Sequence, residues 1–184
     1  MSKEEKDNLE ELKYPIGKHE TPTIIDSKQV LEWITILEDF PKQLRDSVQN
    51  LSNKQLDTPY RPEGWTIRQV IHHLADSHHN SYTRFKWALT EDRPIIKAYY
   101  EERWAELRDS KSGPIFLSLN ALDALHAKWT YFLRGLTPQE LNQLFIHPDG
   151  NEEISLSENI GIYAWHCVHH FAHIHNLKKH KGWK

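Results

Sequence analysis

Cysteine is nearly missing from this chain of 184 residues, and the single one, Cys167, leaves no internal disulfide to form. That usage excludes a disulfide-stapled secreted scaffold and a thiolate-rich structural zinc site, and it points to a reducing, cytoplasmic location. Excess charge is missing too. With 23 Lys and Arg against 26 Asp and Glu, the formal net charge is -3. No basic face is therefore on offer to neutralise phosphates, and a nucleic-acid partner is not expected. No apolar run approaches the ~20 residues that span a bilayer, so no membrane role is expected. Residues 1–12 are charged and lack the apolar stretch of a secretory signal. The chain also shows no internal repeat, low-complexity tract or domain boundary.

What is present fits one domain over residues 1–184, with residues 1–13 as a solvated, flexible lead-in. Seven Trp, seven Tyr and six Phe supply large pieces for its core. Apolar positions recur at helical spacing through Val30, Ile34, Leu37, Leu44 and Val48, again through Val70, Leu74, Phe85 and Leu89, and through Leu119, Leu122, Trp129 and Leu133. A last helix carries Ile160, Ala164, Ile174 and Leu177, with basic residues at its end and Gly182 to stop it. Ser27 is the expected cap of the first helix, and Pro41 predicts a kink or break within it. Capping boxes are legible at Thr66–Gln69, Thr137–Glu140 and Ser155–Glu158. The expected fold is all-α, a four-helix bundle with short extra helices and a small hairpin near His147-Pro148-Asp149-Gly150.

Thirteen histidines stand out, and ten fall in two stretches: His72, His73, His78 and His79, then His166, His169, His170, His173, His175 and His180. On a helix, residues four apart stack on one face about 5–6 Å from each other. His166 with His170, and equally His169 with His173, can therefore grip one ion. A catalytic zinc takes three protein ligands at ~2.0–2.1 Å and keeps a fourth position open. The third ligand must come from another helix, and His72 or His73 is the candidate. A helical His-x-x-x-His also arises by chance, and the remaining histidines, His78 among them, read as surface residues or as partners of a ligand. Cys167 reads as a small core residue, and Trp65 and Trp165 as core or pocket wall.

The segments Leu56-Asp57-Thr58-Pro59-Tyr60-Arg61 and Gly64-Trp65-Thr66-Ile67-Arg68-Gln69-Val70-Ile71-His72-His73-Leu74-Ala75-Asp76-Ser77-His78 resemble the YfiT-type metal-dependent hydrolases of the DinB-like superfamily. The Tyr14-Pro15-Ile16-Gly17 arm and Tyr163-Ala164-Trp165-His166-Cys167-Val168-His169-His170 match the same group, so the likeness runs from about Tyr14 to the C-terminus. The resemblance implies a four-helix bundle of atypical connection order, often a homodimer, with one zinc or nickel ion per chain on three histidines. It carries the ligands to His73, His166 and His170, while the register His169 with His173 satisfies the same spacing. The implied activity is hydrolysis of a small molecule by a metal-bound water whose pKa is lowered toward ~7. Related members resemble bacillithiol-type S-transferases, which implies as alternative a metal-bound thiolate from a low-molecular-weight thiol. A non-catalytic metal-binding stress-response module is the reading from another class. Asp76 and Glu158 are the carboxylates to consider as general base, and no residue is otherwise assigned a catalytic role.

Overall fold

The computed structural model describes residues 9–183, so the expectations for residues 1–8 lie outside the described part. Within the expected flexible lead-in, residues 9–13 form a helical turn, and a turn at Pro15 and Ile16 follows. Helix α1 (Ser27–Val48) starts one residue differently from expectation: Asp26 is the N-cap, its Oδ1 accepting the Gln29 N–H at 2.8 Å. Asp is as good a cap as Ser, and here its carboxylate meets the positive end of the helix dipole as well. The break expected at Pro41 does not occur, because the helix continues through it. Proline cannot donate to Leu37 C=O, one turn back, and that lost bond is what normally ends a helix. The carbonyl instead accepts a hydrogen bond from His126 Nδ1 at 2.6 Å, and the Pro41 ring is buried.

A short helix α2 (Asn53–Leu56) follows, capped by a box of Ser52 and Gln55 that sequence reading overlooked. Helix α3 (Ile67–Thr90) opens on the expected Thr66–Gln69 box. Short helices α4 (Glu101–Trp104) and α5 (Arg108–Ser112) fill the long connection to α6 (Ile115–Arg134). Helix α7 (Pro138–Leu141) leads into the expected hairpin, β1 (Leu144–His147) paired antiparallel with β2 (Glu152–Ser155). Helix α8 (Leu156–Lys181) begins on the Ser155–Glu158 box and ends at Gly182, whose φ of 65° gives the left-handed cap.

The four long helices form the bundle. α1 packs on α6 and α8, and α3 packs on the same two, so α1 and α3 stand on opposite corners. The step from α1 to α3 therefore crosses the bundle, whereas α3 and α6 pack beside each other. The expected atypical order is this diagonal step, and α2 with its loop spans it. Trp129, Phe85, Ile34, Leu37, Ile71 and Leu122 fill the centre at full burial. No helix among the described residues is long and apolar enough to cross a membrane.

Candidate metal centre

Helix α3 is fixed at its start by buried Arg68, which binds Asp57 Oδ1 at 2.7 Å, Gly113 O at 2.9 Å and Asn53 Oδ1 at 3.0 Å. Gln69 Nε2 donates to Ala105 O at 2.9 Å. The next histidine, His72, is turned toward α6. Its Nε2 lies 3.2 Å from Gly113 O, and since a carbonyl only accepts, that nitrogen carries the hydrogen. Its Nδ1 then accepts from the Ser118 hydroxyl at 2.7 Å. His72 is thus an anchor between helices and is not part of the site.

His73, one position further round, faces α8. Its Nε2 is 3.2 Å from His166 Nε2, and one ligand nitrogen each from His73, His166 and His170 lies within 4.8 Å of the others. Two nitrogens on a tetrahedral ion at ~2.0–2.1 Å are about 3.4 Å apart, so the separation suits a shared zinc-like cation. All three imidazoles are held neutral. Burial first, then the neighbouring rings, pulls His73 down to about 3 and pushes His166 and His170 well below the usual histidine value. A neutral ring with a free lone pair is the form that binds a metal ion. The donor set therefore fits a borderline divalent ion on imidazole nitrogen.

A second group, His169, His170 and His173, also has ligand nitrogens within 4.8 Å. His170 belongs to both, and a neutral imidazole has one lone pair, so one ring cannot serve both at once. His173 is partly committed elsewhere: its Nε2 donates to Lys13 O at 3.0 Å, and its ring stacks on Tyr60 at 4.0 Å. Trp165 stacks on His169 at 4.4 Å, which places this tryptophan beside the second group.

Trp65 lies against His73 at 4.6 Å and parallel to His170 at 6.4 Å. It also lines a cleft of about 1010 Å³ together with Tyr14, Arg61, Gln69, Glu101 and His169. The loop at residues 60–64 contributes Tyr60, Arg61, Glu63 and Gly64 to this mouth. A second cleft of about 720 Å³ lies beyond Tyr60 and Arg61, against His173 and Leu177. Trp65 lines the first cleft and packs on His73 and His170, so it stands between that cleft and the trio.

The two carboxylates separate clearly. Glu158 Oε2 accepts the Ser155 N–H at 2.8 Å and its hydroxyl at 2.7 Å, so its role is to cap α8. Asp76 lies one turn beyond His73 on the stripe that begins with Gln69. Burial, then the charge of Asp109, raises it to about 6. His78, read from sequence as surface or ligand partner, is fully buried and binds His166 Nδ1 through its Nε2 at 3.0 Å. His126 went unnoticed in the sequence. It is buried in α6 and binds His78 Nδ1 through its Nε2 at 2.7 Å. Cys167 is buried in the core, as expected.

A four-helix bundle with a diagonal first step and a cluster of histidines from two helices defines a recognised class: the chain belongs to the DinB superfamily, whose family model matches residues 36–174. Within that class it is similar to the "Putative metal-dependent hydrolase YfiT" of Bacillus subtilis, 49% identical over 172 residues that cover 94% of this chain and 97% of that protein. An Oceanobacillus iheyensis relative carrying the same activity name is 51% identical over 171 residues, 93% of this chain and 98% of its own. The solved Bacillus subtilis YfiT structure, described as having an unusual four-helix bundle topology, superposes with a TM-score of 0.93 at 48% identity, over 95% of this chain and 99% of that one. A mycothiol-dependent maleylpyruvate isomerase shares the fold alone, with a TM-score of 0.60 at 15% identity over 76% of this chain and 60% of its own.

Proposed function

We propose that the chain is a metal-dependent hydrolase of a small molecule, holding one zinc or nickel ion on His73, His166 and His170. The observation that carries this reading is the convergence of three neutral imidazoles from α3 and α8 behind Trp65, a residue that also lines an open cleft. The relatives' activity name supports it. A bound ion would supply Lewis acidity and lower the pKa of a coordinated water toward ~7.

The chain's own residues do the rest. Trp65 covers one side of the trio and limits access by bulk water. Asp76, held at about 6 by burial, can accept a proton near neutral pH and release it within the same cycle. The cleft mixes Arg61 and Arg103 with Glu101 and Glu106, which suits a polar substrate carrying both donors and acceptors. His169 also lines the cleft, and its buried Nδ1 has no partner among the described residues.

The test is a panel of activated esters, lactones and amides given to zinc- and nickel-loaded protein, in parallel with a low-molecular-weight thiol plus an electrophile. Hydrolysis that drops 10²–10⁴-fold in Asp76→Asn, with metal content unchanged, is the expected result for loss of a proton acceptor. Consumption of thiol and electrophile together, without hydrolysis, would replace hydrolysis by thiol transfer. Full metal loading with neither reaction would leave a binding module.

A further inference from the structure

The buried histidines outside the trio form a line with one end in the backbone. Pro41 leaves the Leu37 carbonyl without its helical donor, and His126 Nδ1 lies 2.6 Å from that oxygen. A carbonyl can only accept, so the hydrogen of a neutral His126 is on Nδ1 and its Nε2 is a bare lone pair. His78 Nδ1 is 2.7 Å from that lone pair and must donate to it, which leaves His78 Nε2 bare in turn. His166 Nδ1, 3.0 Å away, must donate to His78 Nε2. The hydrogen of His166 is then fixed on Nδ1, and its Nε2, the atom that faces His73, is left free.

We propose that Pro41, His126 and His78 act as positioning residues that lock His166 in the tautomer able to ligate through Nε2. The proposal rests on the metal-site reading only in naming what that lone pair is for. The line of bonds itself is independent of any ion.

Several features support it. His126 and His78 are buried, with Phe40 and Trp129 against both rings and Tyr163 against His78, which keeps water from the link between them. In such surroundings a misdirected hydrogen would leave a donor or acceptor unpaired, at a cost of about 1–3 kcal/mol. Only one arrangement of hydrogens satisfies every link, because the Leu37 oxygen cannot be inverted. Burial keeps His126, the ring that starts the line, from taking a second hydrogen, pulling it down to about 4. The line also ends in a carbonyl, so it cannot deliver a proton to solvent. Its function is orientation and polarisation of the ligand, the role that carboxylates more often play for metal-bound histidines.

The decisive measurement needs no variant. Long-range proton–nitrogen NMR of the imidazoles, on the unaltered metal-free protein and then after zinc addition, reports which ring nitrogen carries the hydrogen. The expected result is hydrogen on Nδ1 in His126, His78 and His166, and of these three rings only His166, at Nε2, shifts strongly on zinc addition. Hydrogen on Nε2 of His126 or His78 overturns the proposal. If zinc fails to bind, the metal-site reading falls, while the metal-free spectrum still decides this one.

Two substitutions separate orientation from filling space. His126→Gln can donate to Leu37 O and accept from His78, whereas His126→Phe only fills the core. Zinc affinity, measured against a competing chelator, is expected to fall 10–100-fold in His126→Phe, the usual loss when a ligand's hydrogen-bond partner is removed. His126→Gln is expected to recover most of it. A phenylalanine variant that binds zinc as well as the glutamine variant would contradict the proposal.

Discussion

His126 is where a single side chain governs most. It is 1% exposed, and burial pulls its pKa down to about 4 from the ordinary 6.5. The unfolded chain gains a proton as pH falls below 6.5, and the folded chain does not until about 4. Stability is therefore fully present above pH 6.5 and is lost progressively down to about 4. One such group contributes roughly 3 kcal/mol at the lower end. His73, pulled down to about 3, acts in the same direction. Asp76 acts in the opposite one, since its raised pKa favours the folded state as pH falls through about 6. It is a single half-buried carboxyl against several buried rings, so the histidines prevail. Urea midpoints of metal-stripped protein are expected to fall steadily from pH 7.5 to pH 5. A midpoint constant over that range would contradict the burial of neutral rings. Spacing in the sequence left His72 or His73, and two registers on the last helix, open; the choice of His73, His166 and His170 came with the family resemblance. His126 was not legible, since it stands alone in α6 and its partners come from α1 and α3. The one available hint was Pro41, which announces a carbonyl in need of a donor.

At the scale of the element, the helix boundaries were largely legible and the joints between helices were not. Boxes at Thr66, Thr137 and Ser155 stand where short-range chemistry put them. The Ser52–Gln55 box obeys the same rule, but its helix is four residues long, too short for an apolar period to draw attention to it. Pro41 misled because helix propensity is a local quantity, and the donor that rescues the helix is 89 positions away. The contact of α1 with α8 was equally invisible. A Cβ placed on Gly161 would meet the Trp33 ring at 2.8 Å, so the two helices approach as closely as they do only because residue 161 has no side chain. Gly161→Ala gains helix propensity but forces that ring aside. A net loss of about 1–3 kcal/mol is expected from overpacking, read as a lower thermal midpoint. An unchanged or higher midpoint would show that Trp33 moves freely. Because α8 carries two of the three clustered histidines, the same substitution is also expected to weaken metal retention.

At the scale of the molecule, the diagonal step from α1 to α3 gives the site its architecture. It places α3 and α8 side by side, so that a histidine of one meets two of the other, and it leaves α1 and α6 to close the far side. The line from Leu37 through His126 and His78 to His166 touches all four long helices, one residue from each. The ligand orientation proposed above therefore depends on the whole bundle being assembled. Fold class was readable from apolar periodicity. The order of helices around the bundle came only with the family resemblance, because periodicity records that a face is buried but not against which neighbour.

Elemental mass spectrometry of untagged protein tests most directly whether one ion sits on His73, His166 and His170, as proposed. The unaltered chain, supplied with zinc and nickel and then desalted, is expected to retain about one metal per chain. His73→Ala and His166→Ala are each expected to lose it, and His169→Ala is expected to keep it. Retention by His166→Ala with loss in His169→Ala would move the ion to the outer group of α8, and no retained metal in the unaltered protein would contradict the account at its centre.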